Sequence, residues 1–115
     1  MATEHDIQDA IRIALCEGGG LCFRCNAGEF WQGRRVYSPA YKQDILLDIR
    51  AVKGLPKGFT DLLYISPGGK VAFIEVKAPG GKIRPEQIKF IERVRSMGFR
   101  AGIAHNIEEA KEIIL

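Results

Sequence analysis

Two carboxylates and one lysine in this 115-residue sequence are spaced as a catalytic centre would need them. Asp61 opens one β-rich run, and Glu75 and Lys77 close the next one. The segment Pro67–Lys70 between the two runs predicts a tight hairpin turn. Because Asp61 and Glu75 each lie seven residues from Gly68, the hairpin brings both carboxylates and the lysine to one end of a sheet.

This arrangement suits a divalent cation. Residues i and i+2 of a strand share a face, so Glu75 and Lys77 project together while Val76 packs on the other side. Carboxylate oxygens suit Mg²⁺ or Mn²⁺, which can polarise a phosphoryl oxygen and lower the pKa of a bound water. Lys77 could orient or deprotonate that water, or offset charge on the phosphorane. The alternative is a cross-strand salt bridge on a solvated edge, which contributes little to stability.

Two more polar residues lie on helix faces that are predicted to point inward. Gln87 shares a face with Ile91 and Val94, and Glu4 lies on the face of Ile7 in the first helix. A buried polar group needs a partner. Either residue could instead be a helix-terminus group that still reaches water, but the two together favour a functional role.

Helices and short strands alternate along the chain. The predicted elements are a helix between Thr3 and Gly18, a strand over Leu21–Asn26, a short strand over Glu29–Trp31, an irregular stretch over Arg34–Lys42, a strand or helix over Ile45–Val52, hairpin strands over Asp61–Ser66 and Val71–Lys77, a helix from Pro85 to Gly98 that buries Ile88, Ile91, Val94 and Met97, a strand over Phe99–Ala104, and a last helix capped by Asn106. This order indicates an α/β sheet with helices on its faces and a parallel crossover at its end.

Composition restricts the class of protein. The hydrophobic fraction of 46% and the charged fraction of 27% exclude disordered and collagen-like chains and fit one domain over residues 1–115. No apolar run approaches the roughly 20 residues that span a bilayer. The acidic, amphipathic segment Met1–Ala10 is no signal peptide, so we expect a cytoplasmic protein without membrane association.

The three cysteines, Cys16, Cys22 and Cys25, favour reduced thiols over a disulfide framework. The last two have C-x-x-C spacing, for which zinc is the alternative interpretation. No second such pair follows, and both histidines are distant, so a structural role is the expectation.

The net charge of +3 is unevenly distributed. Residues 50–100 contain eleven basic and four acidic residues, a net of +7, whereas both ends of the chain are acidic. Such a block fits a polyanion-binding face, and a solvated surface with scattered charges is the equal alternative.

Three motifs follow one another along the chain: Gly58-Phe59-Thr60-Asp61, Glu75-Val76-Lys77, and Gln87 two residues after Pro85. Together they resemble the virus-type replication-repair nuclease (VRR-NUC) family of the PD-(D/E)XK superfamily. Thr60 stands where the superfamily usually has proline. The resemblance implies a restriction-endonuclease-like αβββαβ core with a central mixed sheet flanked by helices.

The resemblance also implies a role for each site residue. Asp61 and Glu75 would bind metal together with the Val76 carbonyl oxygen, and Glu4 would lie near or at the metal. Lys77 would be the catalytic lysine, and Gln87 would position the site. Mg²⁺, or Mn²⁺, is the expected cofactor, and no organic cofactor is expected.

The implied activity is structure-selective cleavage of branched DNA, with homodimers acting on four-way (Holliday) junctions in a bacterial or phage-infected cell. Six basic residues around the site would contact phosphates: Lys53, Lys57, Lys82, Arg84, Lys89 and Arg93. The candidate dimer interface is Tyr37–Val52 with Phe30 and Trp31, although these residues could also be core. Rival interpretations are a flap or restriction-like nuclease, a non-catalytic nucleic-acid-binding module of the same fold, and a structural subunit of a replication assembly.

Overall fold

A computed structural model describes residues 2–25 and 27–115 of the chain. This part of the chain contains three helices and six strands. They are α1 (Glu4–Glu17), β1 (Leu21–Arg24), β2 (Glu29–Ser38), β3 (Gln43–Lys53), β4 (Leu62–Ile65), β5 (Val71–Val76), α2 (Pro85–Ser96), β6 (Arg100–Ala104) and α3 (Ile107–Ile114). None of these helices combines the length and apolar character needed to cross a membrane.

Four strands form a mixed sheet in the order β1-β4-β5-β6. The β1–β4 and β4–β5 pairs are antiparallel, while β5 and β6 are parallel and joined through α2. One core cluster contains Ile11 of α1, Ile74 of β5 and Ala110 of α3, and a second contains Ile91 of α2. The helices therefore cover the sheet on two sides, which confirms the predicted fold class.

The β4–β5 register decides where the carboxylates lie. Leu62 pairs with Ile74, so Asp61, just before β4, and Glu75 in β5 lie at the same end of the hairpin. Ala104, the last residue of β6, pairs with Val76, so β6 also terminates at this end of the hairpin. At this end of the sheet, therefore, β4 begins and β5 and β6 terminate.

Local sequence signals determine where the first helix begins. Thr3 Oγ1 accepts a hydrogen bond from Asp6 N at 3.1 Å, and Asp6 Oδ2 accepts one from Thr3 N at 3.0 Å. This reciprocal capping box begins α1, so Glu4 lies in its first turn. The buried residues Ile7, Ile11 and Leu15 then hold the helix on the sheet.

The segment between β1 and β4 was predicted only in part: Glu29–Trp31 and Ile45–Val52 do lie in strands, but Arg34–Ser38 of the expected irregular stretch is strand as well. Residues 29–53 form a two-stranded antiparallel ribbon, β2–β3, with an irregularity between Gln32 and Arg34, where a short strand and an irregular stretch were expected. We call residues 29–53 the arm. Within residues 2–25 and 27–115, the arm makes no extensive contact with a helix or with the four-stranded sheet. The radius of gyration of 16.8 Å exceeds the roughly 13 Å of a compact chain of about 100 residues, because the arm projects.

Two smaller predictions also need correction. β1 ends at Arg24, and the predicted strand end at Asn26 lies outside the described residues, as does Met1. In α2, Ile88 and Met97 were expected to be buried but are 43% and 58% exposed. The buried stripe is Gln87, Ile91 and Val94, and Met97 follows the last helical residue.

Candidate active site

Asp61 is held between two neighbouring strands. Its Oδ2 accepts a 2.9 Å hydrogen bond from the backbone N–H of Val76 in β5. Its backbone oxygen accepts a 2.7 Å bond from Cys25 N, just after β1. The carboxylate is half-buried, and its orientation is therefore set by the backbone on both sides.

Glu75 is a buried carboxylate without a hydrogen-bonding partner. The residue is 1% exposed, and neither Oε1 nor Oε2 bonds to any group in the described chain. Burial is the main cause that raises the pKa of Glu75 to about 9, and the neighbouring carboxylate of Asp61 contributes because it opposes the ionisation of Glu75. The Glu4 charge raises this pKa further, whereas the Lys77 ammonium lowers it.

The two carboxylates fit a divalent cation. A buried carboxylate with both oxygens unsatisfied is costly unless a positive charge compensates it, and Asp61 supplies further oxygen ligands beside it. Among residues 2–25 and 27–115, no three His, Cys, Asp or Glu side chains converge as a metal site. Glu4 is half-buried, and its connection to the site is electrostatic, since its charge raises the pKa of Glu75.

Lys77 directly follows β5 and is 8% exposed. Its backbone N–H donates a 3.1 Å bond to Ala104 O at the end of β6, which continues the sheet pairing through this residue. Because Glu75 and Lys77 are both buried, this end of the hairpin is not the solvated edge of the salt-bridge alternative.

Gln87 is 4% exposed in the first turn of α2. Its Oε1 accepts a 2.9 Å bond from Arg84 N, so the side chain caps the helix and fixes the loop that precedes it. Gln87 and Asp61 line one cleft of about 560 Å³.

The six predicted DNA contacts do not all gather at this cleft. Lys57 and Arg84 line it, and both pair with Glu86, at 3.7 Å and 3.5 Å. Lys53 lies at the base of the arm beside a neighbouring pocket. The other three are exposed: Lys82 in the loop before α2, and Lys89 and Arg93 on α2.

Sequence reasoning missed three polar residues of the cleft, Gln8, Arg24 and Glu29. Gln8 lies one turn after Glu4, so the i, i+4 spacing already places both on one helix face. Arg24 had no comparable signal, because it reaches the cleft only through the non-local pairing of β1 with β4.

The mixed sheet flanked by helices is a PD-(D/E)XK-like fold. A solved structure described as a VRR-NUC domain is similar to this chain with a TM-score of 0.62 and 22% identity, over 98% of this chain and 96% of that one. The VRR-NUC domain model matches residues 2–106, and the chain therefore belongs to the VRR-NUC family. A comparison with curated protein sequences gives no significant match.

Proposed function

We propose that this chain is a metal-dependent, structure-selective endonuclease that hydrolyses phosphodiester bonds in branched DNA. The observation that carries the proposal is Glu75, a buried carboxylate with two unpartnered oxygens beside the carboxylate of Asp61. The family implies a nuclease-type fold, and these two residues supply the ligands that Mg²⁺ or Mn²⁺ would need.

In this proposal, Asp61 and Glu75 hold the cation, and the Val76 carbonyl oxygen and Glu4 are additional candidate ligands. When bound, the cation supplies Lewis-acid activation of a phosphoryl oxygen and lowers the pKa of water. Lys77 orients the attacking water or offsets charge on the phosphorane. Gln87 fixes the start of α2 and thereby positions Arg84 at the cleft.

Charge supports DNA as the substrate. Lys57 and Arg84 line the cleft beside Asp61, and Lys53 lies next to it at the base of the arm. With Lys82, Lys89 and Arg93 on the adjoining exposed surface, these residues would contact phosphates and select DNA shape rather than sequence. Free thiols at all three cysteines suit the cytoplasm of a bacterial or phage-infected cell.

We also propose that the protein acts as a homodimer joined through the arm. A two-stranded ribbon without further packing is marginally stable in water. Eight large apolar side chains of the arm are exposed: Phe30, Trp31, Tyr37, Tyr41, Leu46, Leu47, Ile49 and Val52. An apolar surface of this extent is typical of a protein interface.

Two of the five basic side chains of the arm form ion pairs across the ribbon. Asp48 lies 3.6 Å from Arg34, and Asp44 lies 3.6 Å from Arg35, so these arginines are offset by acids on the opposite strand. A second copy would cover the arm. It would also supply the second catalytic centre that two symmetric cuts in a junction require, since one 115-residue domain provides one centre.

The central experiment is cleavage of end-labelled four-way junction, flap and linear duplex in Mg²⁺ and in EDTA. Wild-type protein is expected to cut the junction only with Mg²⁺, and Asp61→Ala and Lys77→Ala should abolish cutting. Lys70→Ala, at the turn between β4 and β5, is the matched lysine control and should cut normally. Equal cleavage by wild type and by both site variants would exclude these residues as the centre.

The same assay separates the rival functions. Preferred cutting of the flap indicates a flap nuclease, and cutting of linear duplex indicates a restriction-like enzyme. Metal-independent binding without cutting of any substrate indicates the nucleic-acid-binding module, and neither binding nor cutting indicates a structural subunit.

Sedimentation velocity tests the dimer. Wild-type protein should sediment as a dimer at micromolar concentration, and Leu46→Ser combined with Leu47→Ser should give a monomer. Ile13→Ser removes an exposed apolar side chain of α1 instead and should leave the dimer intact. A wild-type monomer across this range would contradict dimerisation.

A further inference from the structure

Arg24 lines the same cleft as Lys57 and Arg84. It is the last residue of β1, and its strand partner is Leu62, the residue after Asp61. Its side chain reaches towards α1, where it contacts His5 and Asp9. Lys57 and Arg84 belong to the loops that precede β4 and α2. Asp61 lines the same cleft, so cationic groups from two different parts of the fold share it with the candidate metal ligand.

The hydrogen bonds of Arg24 hold the guanidinium by one end only. Nη2 bonds to Asp9 Oδ1 and lies 3.4 Å from His5 Nε2. His5 and Asp9 are themselves 3.4 Å apart, one helical turn from each other. Within the described chain, Nε and Nη1 of Arg24 form no hydrogen bond. An arginine anchored in this way keeps donors free for a second anion.

We propose that Arg24 is a phosphate-binding residue that contacts the DNA backbone on the α1 side of the cleaved bond. Lys57 and Arg84 contact the backbone on the other side, so the strand crosses the cleft over Asp61. Asp9 is a positioning residue that holds the Arg24 guanidinium. This inference rests on the proposed nuclease function, because it takes DNA as the occupant of the cleft.

The alternative is a purely structural ion pair between α1 and β1. Exposed ion pairs contribute little to stability, and Arg24 is 36% exposed. A structural role therefore predicts that substitution of Arg24 leaves DNA binding unchanged and alters thermal stability slightly. A phosphate contact predicts instead that the substitution weakens DNA binding.

The test measures junction binding by fluorescence anisotropy, with Ca²⁺ in place of Mg²⁺ and over a range of salt concentrations. Arg24→Gln is expected to bind about tenfold more weakly, and the slope of log affinity against log salt should fall by about one. Arg100→Gln replaces an exposed arginine at the start of β6, away from the cleft, and should match wild type. Asp9→Asn should weaken binding less than Arg24→Gln and add nothing to it in the double variant.

The side of the cut is tested with a single neutral methylphosphonate, placed in turn at phosphates on either side of the bond that wild-type protein cleaves. A methylphosphonate at the phosphate that Arg24 contacts should weaken binding by the wild type but not by Arg24→Gln. The phosphate to which Lys57→Gln is insensitive in the same way should lie on the other side of the cleaved bond. If wild type binds the junction and Arg24→Gln binds it with equal affinity and salt slope, the Arg24 inference alone is wrong. A wild-type protein that binds no DNA would overturn the proposed function as well.

Discussion

Asp61 Oδ2 accepts a 2.9 Å hydrogen bond from the amide of Val76, the residue between Glu75 and Lys77. The bond ties the start of β4 to the end of β5 through a side chain of the candidate site itself. Asp61 therefore has two tasks, since one oxygen orients the carboxylate while the other stays available. We therefore expect that a substitution of Asp61 can remove its proposed role as a metal ligand while it keeps the structural hydrogen bond.

Asp61→Asn should separate these two tasks. An asparagine carbonyl can still accept from Val76 N, so we expect little change in thermal stability. The neutral amide is a poorer cation ligand, and because losing even an indirect metal contact costs 10–100-fold, cleavage should fall by about 100-fold or more. Junction cleavage and thermal unfolding of the same preparation measure both effects. Retained cleavage together with lost stability would make Asp61 purely structural.

Glu75 should make the stability of the metal-free protein depend on pH. Its pKa is raised from 4.5 to about 9 in the folded chain, so between these values the folded state holds one proton more than the unfolded state. Stability in EDTA should therefore be highest near the acid end of this window and fall as pH rises, by up to about 1.4 kcal/mol per pH unit. Thermal midpoints measured across this window test the slope.

Glu75→Gln is the control for that slope, because an amide of the same size does not titrate. The variant should lose the downward slope and be more stable than wild type at alkaline pH without metal. Mg²⁺ should raise the midpoint of wild type more strongly as pH rises, since a ligand must lose its proton to bind. A slope that Glu75→Gln retains would assign the pH dependence to other groups.

Lys77→Met should slow the cleavage of DNA without weakening DNA binding. Methionine keeps much of the apolar stem of this buried residue, so the fold should persist. Loss of a group that assists proton transfer or charge stabilisation lowers turnover by roughly 100-fold or more. Single-turnover cleavage and anisotropy should show slow cutting at normal affinity, and a loss of affinity that equals the loss of rate would make Lys77 a DNA contact instead.

The hairpin that carries the site was predictable because its signals are local. The turn Pro67–Lys70 fixes the register, and the register alone brings Asp61 and Glu75 to one end. Gln87 was placed inward by its i, i+4 relation to Ile91, and it is buried. The burial of Glu75 and its raised pKa needed the structure, because both depend on neighbours from other elements.

The arm was not predictable for a physical reason. The sequence leaves residues 45–52 open between strand and helix and between interface and core, because both faces of the ribbon are largely exposed and no alternation marks a buried side. The cleft position of Arg24 was equally hidden, because β1 joins the sheet beside β4 across the whole length of the arm. Non-local pairing accounts for the second failure, and the lack of a buried face accounts for the first.

Gly58 should link the stability of the chain to the shape of the cleft. Its φ is +96°, and a Cβ there would lie 2.6 Å from Glu86 O in the first turn of α2. Gly58→Ala must therefore strain the backbone, by about 1–2 kcal/mol, and also displace the turn that positions Arg84 and Gln87. Gly69→Ala is the matched control, because φ is +83° and the Cβ would meet nothing within 4 Å. Urea unfolding should show a larger loss for Gly58→Ala, and only this variant should also bind junction DNA more weakly; equal losses in both assays would mean that the Glu86 contact does not shape the cleft.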